Sequence, residues 1–372
     1  MRSRILQVGG FDHVKAVHIG GGHPVVIQTM WKDRLSFSDL SGEAAEALIA
    51  RINSLAGMGC GLLRFAVPDL NAAGLLGNLA SMVSMPLVAD IHFDYKIALR
   101  CLDFPIAKIR INPGNIGFHS SRGGMEKVRQ VLEKTAKKGI PIRIGVNAGS
   151  LPLDLRSKVD DSSLECAEAL VLAAEREIAL FDEFGFKDFL VSIKASSVAD
   201  TIKGNRLLAE RSDVPLHIGV SEAGPLVAGV VQNTAALMVL LGEDIGDTIR
   251  VSLSDTMENE VIAAREILAA VREKEGKPRN EVRLISCPRC GRSSFDTHGF
   301  TGRWQNRLYA MDKNITLAVM GCAVNGPEEA RHADLGITGA GDKVLIFRRG
   351  QVVRTVDASQ ADDAFEEELK KI

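Results

Sequence analysis

Short apolar runs alternate with longer amphipathic segments from residue 24 to about residue 275 of the chain. The short runs are apolar at almost every position, which is typical of strands that are buried on both faces. In the longer segments apolar residues recur every three to four positions, as on surface helices. The short runs lie at residues 24–30, 62–67, 86–91, 107–112, 141–147, 189–195, 215–220 and 248–253.

Eight strands, each followed by a helix over about 250 residues, predict an α/β fold with a (β/α)8 barrel of the TIM type. A doubly wound open sheet would also alternate strands and helices. Its first strand, however, is usually followed by a glycine-rich nucleotide-binding loop, whereas this chain continues with QTMWKDRLSFSD. The barrel is therefore the favoured architecture.

A charged segment that contains Gly and Pro follows the last predicted barrel helix and is typical of a linker. Beyond it, five short strand-like runs and two helical segments predict a small α+β domain. We therefore predict a barrel domain at residues 1–272, a linker at 273–281 and a second domain at 282–372.

Composition narrows the class of protein. The net charge of −2 excludes a globally basic nucleic-acid-binding protein. No apolar run reaches the roughly 18 residues of a membrane span, and no signal-peptide pattern is seen at the start. Six cysteines in 372 residues do not form a disulfide framework and fit a reducing compartment. We expect a cytoplasmic protein with no nucleic-acid or membrane partner.

Charged side chains are concentrated at the carboxyl ends of the predicted strands, where (β/α)8 barrels build their active sites. Four arginines and one lysine there would repel one another unless an anion lay between them. The guanidinium fork suits phosphate oxygens, so the mouth is predicted to bind a small diphosphate substrate. Alternatively, carboxylates simply neutralise the cations. The strand-end residues are Gln28, Arg64, Asp90, His92, Arg110, Asn112, Arg143, Asn147, Lys194, Glu222, Arg250 and Ser252.

Two of these residues are candidates for proton transfer. Glu222, in GVSEAG, is the only glutamate among the strand ends, and its position suits proton delivery to a substrate. His92 could share that role, although a histidine close to Asp90 fits a structural hydrogen-bonded pair equally well.

Three interpretations compete for the cysteines of the second domain. A redox dithiol would use Cys287 and Cys290 and would not need Cys322. The Pro and Gly around the pair fit a tight loop better than the start of a helix, where such a dithiol lies. A structural zinc site would need His298 or His332 as its fourth ligand. An iron–sulfur cluster would have three thiolates and a carboxylate from NGPEEA, an exchangeable ligand that would leave one iron able to bind substrate.

Eight segments of the chain resemble the 4-hydroxy-3-methylbut-2-en-1-yl diphosphate synthase family. They are LVADIHFDY, KIRINPGNIG, PIRIGVNAGSL, VSIKAS, GVSEAG and IRVSL at the strand ends, then SCPRCGR and MGCAVNGPEEA. The resemblance covers nearly the whole chain and implies a barrel followed by a small α+β iron–sulfur domain with a 4Fe-4S cluster. It implies an oxidoreductase of isoprenoid biosynthesis that reductively opens 2-C-methyl-D-erythritol 2,4-cyclodiphosphate and eliminates water. Reduced flavodoxin or ferredoxin would supply two electrons.

The resemblance also implies roles for individual residues, matched by position. The implied cluster ligands are Cys287, Cys290, Cys322 and Glu329. The implied catalytic residues are Glu222 as the acid of the barrel, together with Glu329 and His92. The implied substrate-binding residues are Arg64, Asp90, Arg110, Arg143, Asn147, Lys194, Arg250 and Ser252.

Two segments depart from the family pattern. The loop after the first barrel strand is TMWKDRLSF rather than a threonine- and asparagine-rich SMTNTDT-like segment, and NGPEEA has Glu328 in place of the usual glycine. The competing function, from another class, is a zinc-dependent sugar-phosphate lyase or aldolase on the same barrel.

The length of the last barrel helix bears on assembly. A helix of about 20 residues from Ser254 takes the chain roughly 30 Å from the mouth to the floor. The eight-residue linker EKEGKPRN spans at most about 28 Å. A cluster could hardly return to the mouth of its own barrel. We therefore predict a two-fold homodimer in which each cluster domain caps the partner's barrel, as the resemblance also implies.

Overall fold

The computed structural model of the protein describes residues 3–92, 94–112, 122–323 and 326–372. Residues 93, 113–117 and 324–325, which belong to three of the family-like segments, lie outside these ranges. The chain divides into two compact units, Met1–Val271 and Arg272–Ile372.

The first unit contains a parallel sheet of eight strands, β3 to β10, preceded by an antiparallel hairpin of β1 (Leu6–Val8) and β2 (Val17–Ile19). The parallel strands pair in the order β8-β7-β6-β5-β4-β3-β10-β9. An isolated parallel bridge from Val191 to Leu216 joins the two ends of this order, so the sheet closes nearly into a barrel. The strands are β3 (Val26–Met30), β4 (Cys60–Ala66), β5 (Leu87–Ile91), β6 (Lys108–Ile111), β7 (Ile142–Asn147), β8 (Phe189–Lys194), β9 (His217–Ile218) and β10 (Thr248–Ile249).

Helices follow the barrel strands, which confirms the predicted (β/α)8 architecture. Asp69, Asp94 and Ser197 begin three of them by accepting a hydrogen bond from a backbone N–H of the first turn. None of the helices in the described ranges combines the length and apolar character needed to cross a bilayer. The helices are α1 (Gly42–Gly57), α2 (Leu70–Ala80), α3 (Tyr95–Cys101), α4 (Arg122–Lys138), α5 (Leu153–Asp160), α6 (Cys166–Glu183), α7 (Val198–Arg211), α8 (Leu226–Leu241) and α9 (Met257–Lys274).

The β1–β2 hairpin covers the floor of the barrel, at the amino ends of the parallel strands. Its apolar side chains form one buried cluster with inward-facing residues of the strands. Because these residues precede the charged strand ends by two or more positions, the barrel is apolar at its floor and polar at its mouth. The cluster comprises Leu6, Val8, Val14, Ile19, Leu62, Val88, Ala107 and Leu190.

The second unit is the predicted α+β domain, with a mixed five-stranded sheet in the order β11-β12-β13-β14-β15. The first three strands pair in parallel and the last two pairings are antiparallel. Phe300, Trp304 and Phe365 pack with ring centroids 5.1–5.7 Å apart in its core. The elements are β11 (Arg283–Ser286), α10 (Thr297–Tyr309), β12 (Thr316–Met320), α11 (Gly326–Glu329), β13 (Leu335–Ala340), β14 (Lys343–Arg348), β15 (Gln351–Asp357) and α12 (Ala361–Leu369).

Candidate active site

Strand register places three of the predicted substrate-binding residues side by side at the mouth. Asp90 of β5 pairs with Arg110 of β6, and Arg110 pairs with Arg143 of β7. Asn147 at the end of β7 pairs with Lys194 at the end of β8. Because alternate residues of a strand share a face, these side chains lie on the inner surface of the barrel, where Asp90, Arg110, Arg143 and Lys194 are buried.

Asp90 is the carboxylate at the centre of this group. Its Oδ1 accepts a hydrogen bond from Arg110 Nη1 at 3.1 Å, and its Oδ2 lies 3.5 Å from Arg64 Nε and 3.6 Å from His92 Nε2. Burial alone would raise the pKa of Asp90, but Arg64, His92 and Arg110 outweigh it and hold the pKa far below its usual range. Asp90 is therefore a permanent anion that neutralises part of the positive charge.

The guanidinium of Arg110 is accommodated by a glycine on the next strand. A Cβ at Gly145 would lie 2.6 Å from Arg110 Nε, so no larger residue fits there. Arg110 Nη1 also lies 3.2–3.3 Å from the ring nitrogens of His92. The Asn147 amide, oriented with its oxygen towards Arg110, accepts from Nη2 at 3.2 Å. His92 and Asn147 are thus brought together around the Arg110 guanidinium, which also contacts Asp90.

No carboxylate contacts the basic groups of Arg143 and Lys194 directly in the described residues. Arg143 is 2% exposed, and its Nε is buried without a hydrogen-bond partner there. Burial, together with Arg64 and Arg110, holds the pKa of Arg143 well below its ordinary value. Burial and the neighbouring Arg143 and Arg250 lower the pKa of Lys194 in the same way. Such groups favour an anion strongly, because an anion would compensate both the loss of hydration on burial and the repulsion from neighbouring cations.

Sequence reasoning missed a second polar layer below the mouth. Lys108 is fully buried and donates to Gln28 Oε1 at 3.1 Å, while Gln28 Nε2 has no partner in the described part of the chain. His217 is also fully buried, with Nδ1 2.7 Å from Thr248 Oγ1. Burial and Lys194 lower the pKa of His217, so this imidazole is neutral. The signal for Lys108 was its position two residues before Arg110, which puts both on one face of the strand.

Arg250 and Ser252 follow β10 at the mouth. Arg250 forms a two-pronged ion pair with Glu260 of α9, through Nε at 3.1 Å and Nη2 at 3.0 Å. Ser252 is half-buried. Glu260 could not be selected from the sequence, because its position in the apolar pattern of a helix does not show that its side chain points towards a strand end.

Glu222 lies in the loop after β9, exposed to solvent and with a backbone φ of +53°. A non-glycine residue in this left-handed region is strained, and such strain is concentrated at functional sites. The loop is tied back to the barrel by a hydrogen bond from Ser221 N to Ala195 O at 2.9 Å. Glu222 is consequently a rim residue, whereas His92, about half-exposed, contacts the Asp90–Arg110 pair directly.

Among the described side chains, positive charge at the mouth exceeds negative charge. The carboxylates that contact the inner cations are Asp90 and Glu260. They face the buried or nearly buried cations Arg64, Lys108, Arg110, Arg143, Lys194 and Arg250. Burial also lowers the pKa of Arg64 to about 10. The arrangement suits a multiply charged anion that supplies the missing negative charge.

The three candidate cluster cysteines lie at the carboxyl ends of neighbouring parallel strands. Cys287 directly follows β11, and its N–H donates to Val319 O of β12 at 2.9 Å. Cys322 lies two residues after β12, and Cys290 is in the loop that follows Cys287. Ser294 N donates to Gly321 O at 2.9 Å, which ties this loop to the residue before Cys322.

Side chains of the Cys287 loop pack too closely against Gly321 to leave room for a side chain there. A Cβ there would lie 2.6 Å from Ser293 Oγ and 3.6 Å from Cys287 Sγ. All three cysteines are free thiols. The described residues contain no group of three or more His, Cys, Asp or Glu side chains already arranged to ligate a metal. The structure thus brings the cysteine-bearing loops together without gathering the thiols, and Glu329 is exposed at the end of α11.

Comparison with known proteins covers both units. A model of the GcpE TIM-barrel domain matches residues 12–265, and a model of the GcpE protein C-terminal domain matches residues 283–371. A Treponema pallidum protein is 49% identical over 387 residues, which covers 100% of this chain and 92% of the relative. A Treponema denticola protein is 47% identical, with 99% and 98% covered, and a Thermodesulfovibrio yellowstonii protein 41% identical, with 100% and 99% covered.

All three relatives are named 4-hydroxy-3-methylbut-2-en-1-yl diphosphate synthase (flavodoxin). None of them supports the zinc-dependent lyase alternative. Among solved structures, a dihydropteroate synthase from Xanthomonas albilineans matches at 15% identity with a TM-score of 0.44, over 74% of this chain and 100% of that one. That similarity is too low to bear on function.

Proposed function

Because the chain belongs to the GcpE family over nearly its whole length, we propose that it is a flavodoxin-dependent 4-hydroxy-3-methylbut-2-en-1-yl diphosphate synthase. The reaction opens the ring of 2-C-methyl-D-erythritol 2,4-cyclodiphosphate, takes up two electrons and two protons, and releases water and the linear diphosphate. The observation that supports it best is the buried cation cluster of the mouth. It suits a diphosphate and is in excess of the carboxylates around it.

Substrate binding is assigned to the inner cations. Arg143 and Lys194 would bind the diphosphate most directly, because no carboxylate pairs with them in the described part of the barrel. Arg64 and Arg110 would bind it while their other edges stay on Asp90. The further residues that we assign to binding are Asp90, Asn147, Arg250 and Ser252.

Proton transfer is assigned to the rim. Glu222 is exposed beside the mouth with a backbone φ of +53°, and residues in such strained conformations are concentrated at functional sites. We assign it the delivery of a proton to the departing oxygen. His92 would assist, since its ring lies against Arg110 and Asp90 and can orient the substrate between them.

The cluster ligands would be Cys287, Cys290, Cys322 and Glu329. Three thiols and one carboxylate fit a 4Fe-4S cluster with one exchangeable position, and the Ser293 and Cys287 side chains pack against Gly321, so the cysteine loops lie next to each other. When bound, such a cluster supplies one-electron steps and a site for the substrate oxygen. Flavodoxin is the donor that the relatives' name indicates, and ferredoxin would be the other small carrier to test.

Assembly as a homodimer with cross-subunit active sites agrees with two observations. α9 has 18 residues, so it takes the chain about 27 Å from the mouth. Large apolar side chains are exposed just beyond several strand ends, a pattern that marks protein contact surfaces. They are Phe37, Leu70, Leu153, Leu226 and Val227. A cluster domain of the partner that caps the mouth would cover them and exclude water from the reaction.

Two further assignments belong to this proposal. The segment 273–281 would act as the linker between the barrel domain, 1–272, and the cluster domain, 282–372. The free state of all six cysteines supports a reducing cytoplasm as the compartment.

Anaerobic purification tests the proposed function. The full-length protein should be brown, contain about four irons per chain, and convert the cyclodiphosphate to the linear diphosphate when supplied with reduced flavodoxin. A colourless protein with one zinc per chain and no turnover would contradict the proposal.

A further inference from the structure

Glu260 of α9 is a buried carboxylate that gathers two cations at one side of the mouth. It is 1% exposed. Its Oε1 accepts from Lys32 Nζ at 2.5 Å, Arg250 Nη2 at 3.0 Å and Leu253 N at 3.1 Å. Its Oε2 accepts from Thr29 Oγ1 at 2.6 Å and Arg250 Nε at 3.1 Å. Five donors saturate the acceptor capacity of a carboxylate, so its orientation is fixed.

The same contacts determine which edge of Arg250 is left for a ligand. With Nε and Nη2 bound to Glu260, Nη1 points to Met30 Sδ at 3.9 Å. Arg64 Nη2 lies 2.9 Å from that sulfur. A thioether is a weak acceptor, and two guanidinium groups that converge on it are much better suited to a phosphate oxygen.

Lys32 belongs to the loop in which the chain departs from the family pattern. Its ammonium also donates to Leu253 O at 3.0 Å, and its side chain is 29% exposed, so part of it is open to a ligand from solvent. One carboxylate, Glu260, therefore anchors two cations at the β3–β10 side. An ammonium has three donors, and the hydrogen bonds to Glu260 and Leu253 leave one of them for a further acceptor.

We propose that Glu260 is a positioning residue that holds Arg250 and Lys32 as one anion-binding unit, and that Lys32 binds a phosphate oxygen of the substrate. This inference rests on the proposed function for the identity of the anion. It extends that function to the TMWKDRLSF loop, where the family pattern assigns nothing to a lysine.

Binding of inorganic diphosphate to the full-length protein tests the unit, measured by calorimetry at two salt concentrations. Lys32→Met should weaken binding about tenfold and flatten its salt dependence, because a charge-assisted hydrogen bond is lost. Lys32→Arg should restore most of the affinity. In turnover, Lys32→Met should raise KM more than it lowers kcat. The matched control is Lys187→Met, an exposed lysine before β8, paired with Asp182, which should leave binding unchanged.

A double-mutant cycle tests the positioning role. Glu260→Gln should lower affinity, and Lys32→Met made in that background should have less than about a twofold further effect, because the two residues act together. If the two substitutions instead lower the affinity for diphosphate by independent factors that multiply, positioning by Glu260 is contradicted. If Lys32→Met binds diphosphate with the same affinity and salt dependence as Lys187→Met, the whole inference is contradicted. This comparison remains decisive even when Glu260→Gln fails to fold. Turnover of the cyclodiphosphate by the unmodified protein reports on the proposed function alone, so the two failures are distinguishable.

Discussion

Single buried cations in the mouth lower the stability of the folded barrel. Lys108 is fully buried with one neutral hydrogen-bond partner, Gln28. Burial, and then Arg143 and Arg64, lower the pKa of Lys108 well below its ordinary 10.5. The unfolded chain therefore binds this proton more readily than the folded one, and the free energy of unfolding increases with pH from the folded pKa up to 10.5.

Replacement of Lys108 should reveal this cost. Lys108→Met should raise the free energy of unfolding at pH 7 by about 1–3 kcal/mol, since it removes a desolvated amine at nearly equal volume. The gain should shrink as the pH rises from 7 to 10, because the free-energy cost of releasing the proton that the unfolded chain binds falls as the pH approaches 10.5. Chemical denaturation at pH 7 and pH 10, followed by circular dichroism, measures both effects. A variant that is less stable at pH 7, with unchanged pH dependence, would contradict this account.

Glu222 should affect turnover and not binding. Glu222→Gln removes a negative charge from the rim of a cationic mouth, so the affinity for the anionic substrate should stay equal or become tighter. Loss of the proton donor should lower kcat about 100-fold or more. Steady-state kinetics separates the two effects. Normal kcat with weakened binding would remove Glu222 from the mechanism.

The two adjacent glutamates of α11 should differ. We expect Glu329→Ala to lower the iron content and abolish turnover, because the fourth ligand is lost. Glu328→Gly, which restores the usual family residue, should be tolerated. Iron analysis and activity of both anaerobically purified variants measure this, and reversed phenotypes would show that the ligand assignment is wrong.

Arg64, Arg110 and Arg143 could be predicted from the sequence because each interrupts an apolar run that predicts a strand. Basic residues in three different strands indicated the mouth of the barrel. The partners of these residues were harder to predict. Glu260 reaches Arg250 from a helix, and that contact depends on helix rotation, which apolar periodicity specifies only to within a broad stripe.

At the scale of elements, the apolar runs located all eight barrel strands, although β9 and β10 have only two residues each in regular pairing. The two strands of the hairpin at the floor and the extra helix α5 were not predicted. Strands β1 and β2 have three residues each, too few for a periodicity to be recognised.

The junction of β12 with the cysteine loop should be sensitive to one methyl group. Gly321→Ala would place a Cβ 2.6 Å from Ser293 Oγ and force the Cys287 loop to move. The variant should bind less iron after anaerobic reconstitution and unfold more easily by about 1–3 kcal/mol. Gly302→Ala in α10 is the matched control, since a Cβ there meets nothing within 4 Å. Equal iron content in the two variants would contradict the role of Gly321.

At the scale of the whole molecule, the proposed shared site makes a prediction about mixed dimers. Cys287→Ser and Glu222→Gln should each be inactive alone, because one lacks a cluster ligand and the other the acid. If each barrel uses the partner's cluster, a mixed dimer has one intact site and should regain about half of the activity. The measurement is turnover by co-expressed, separately tagged and isolated mixed dimers. A mixed dimer that stays inactive, while hybrids with the unmodified chain are active, would place each site within one chain.

The hairpin at the floor has a kinetic consequence. In the described part of the barrel, Leu6, Val8 and Ile19 close the floor with an apolar layer, so a charged molecule should enter and leave through the mouth. Substrate arrival and product departure then share one passage and exclude each other. The linear diphosphate should therefore inhibit competitively, and in the proposed dimer its exit should have to wait for each opening of the capped mouth.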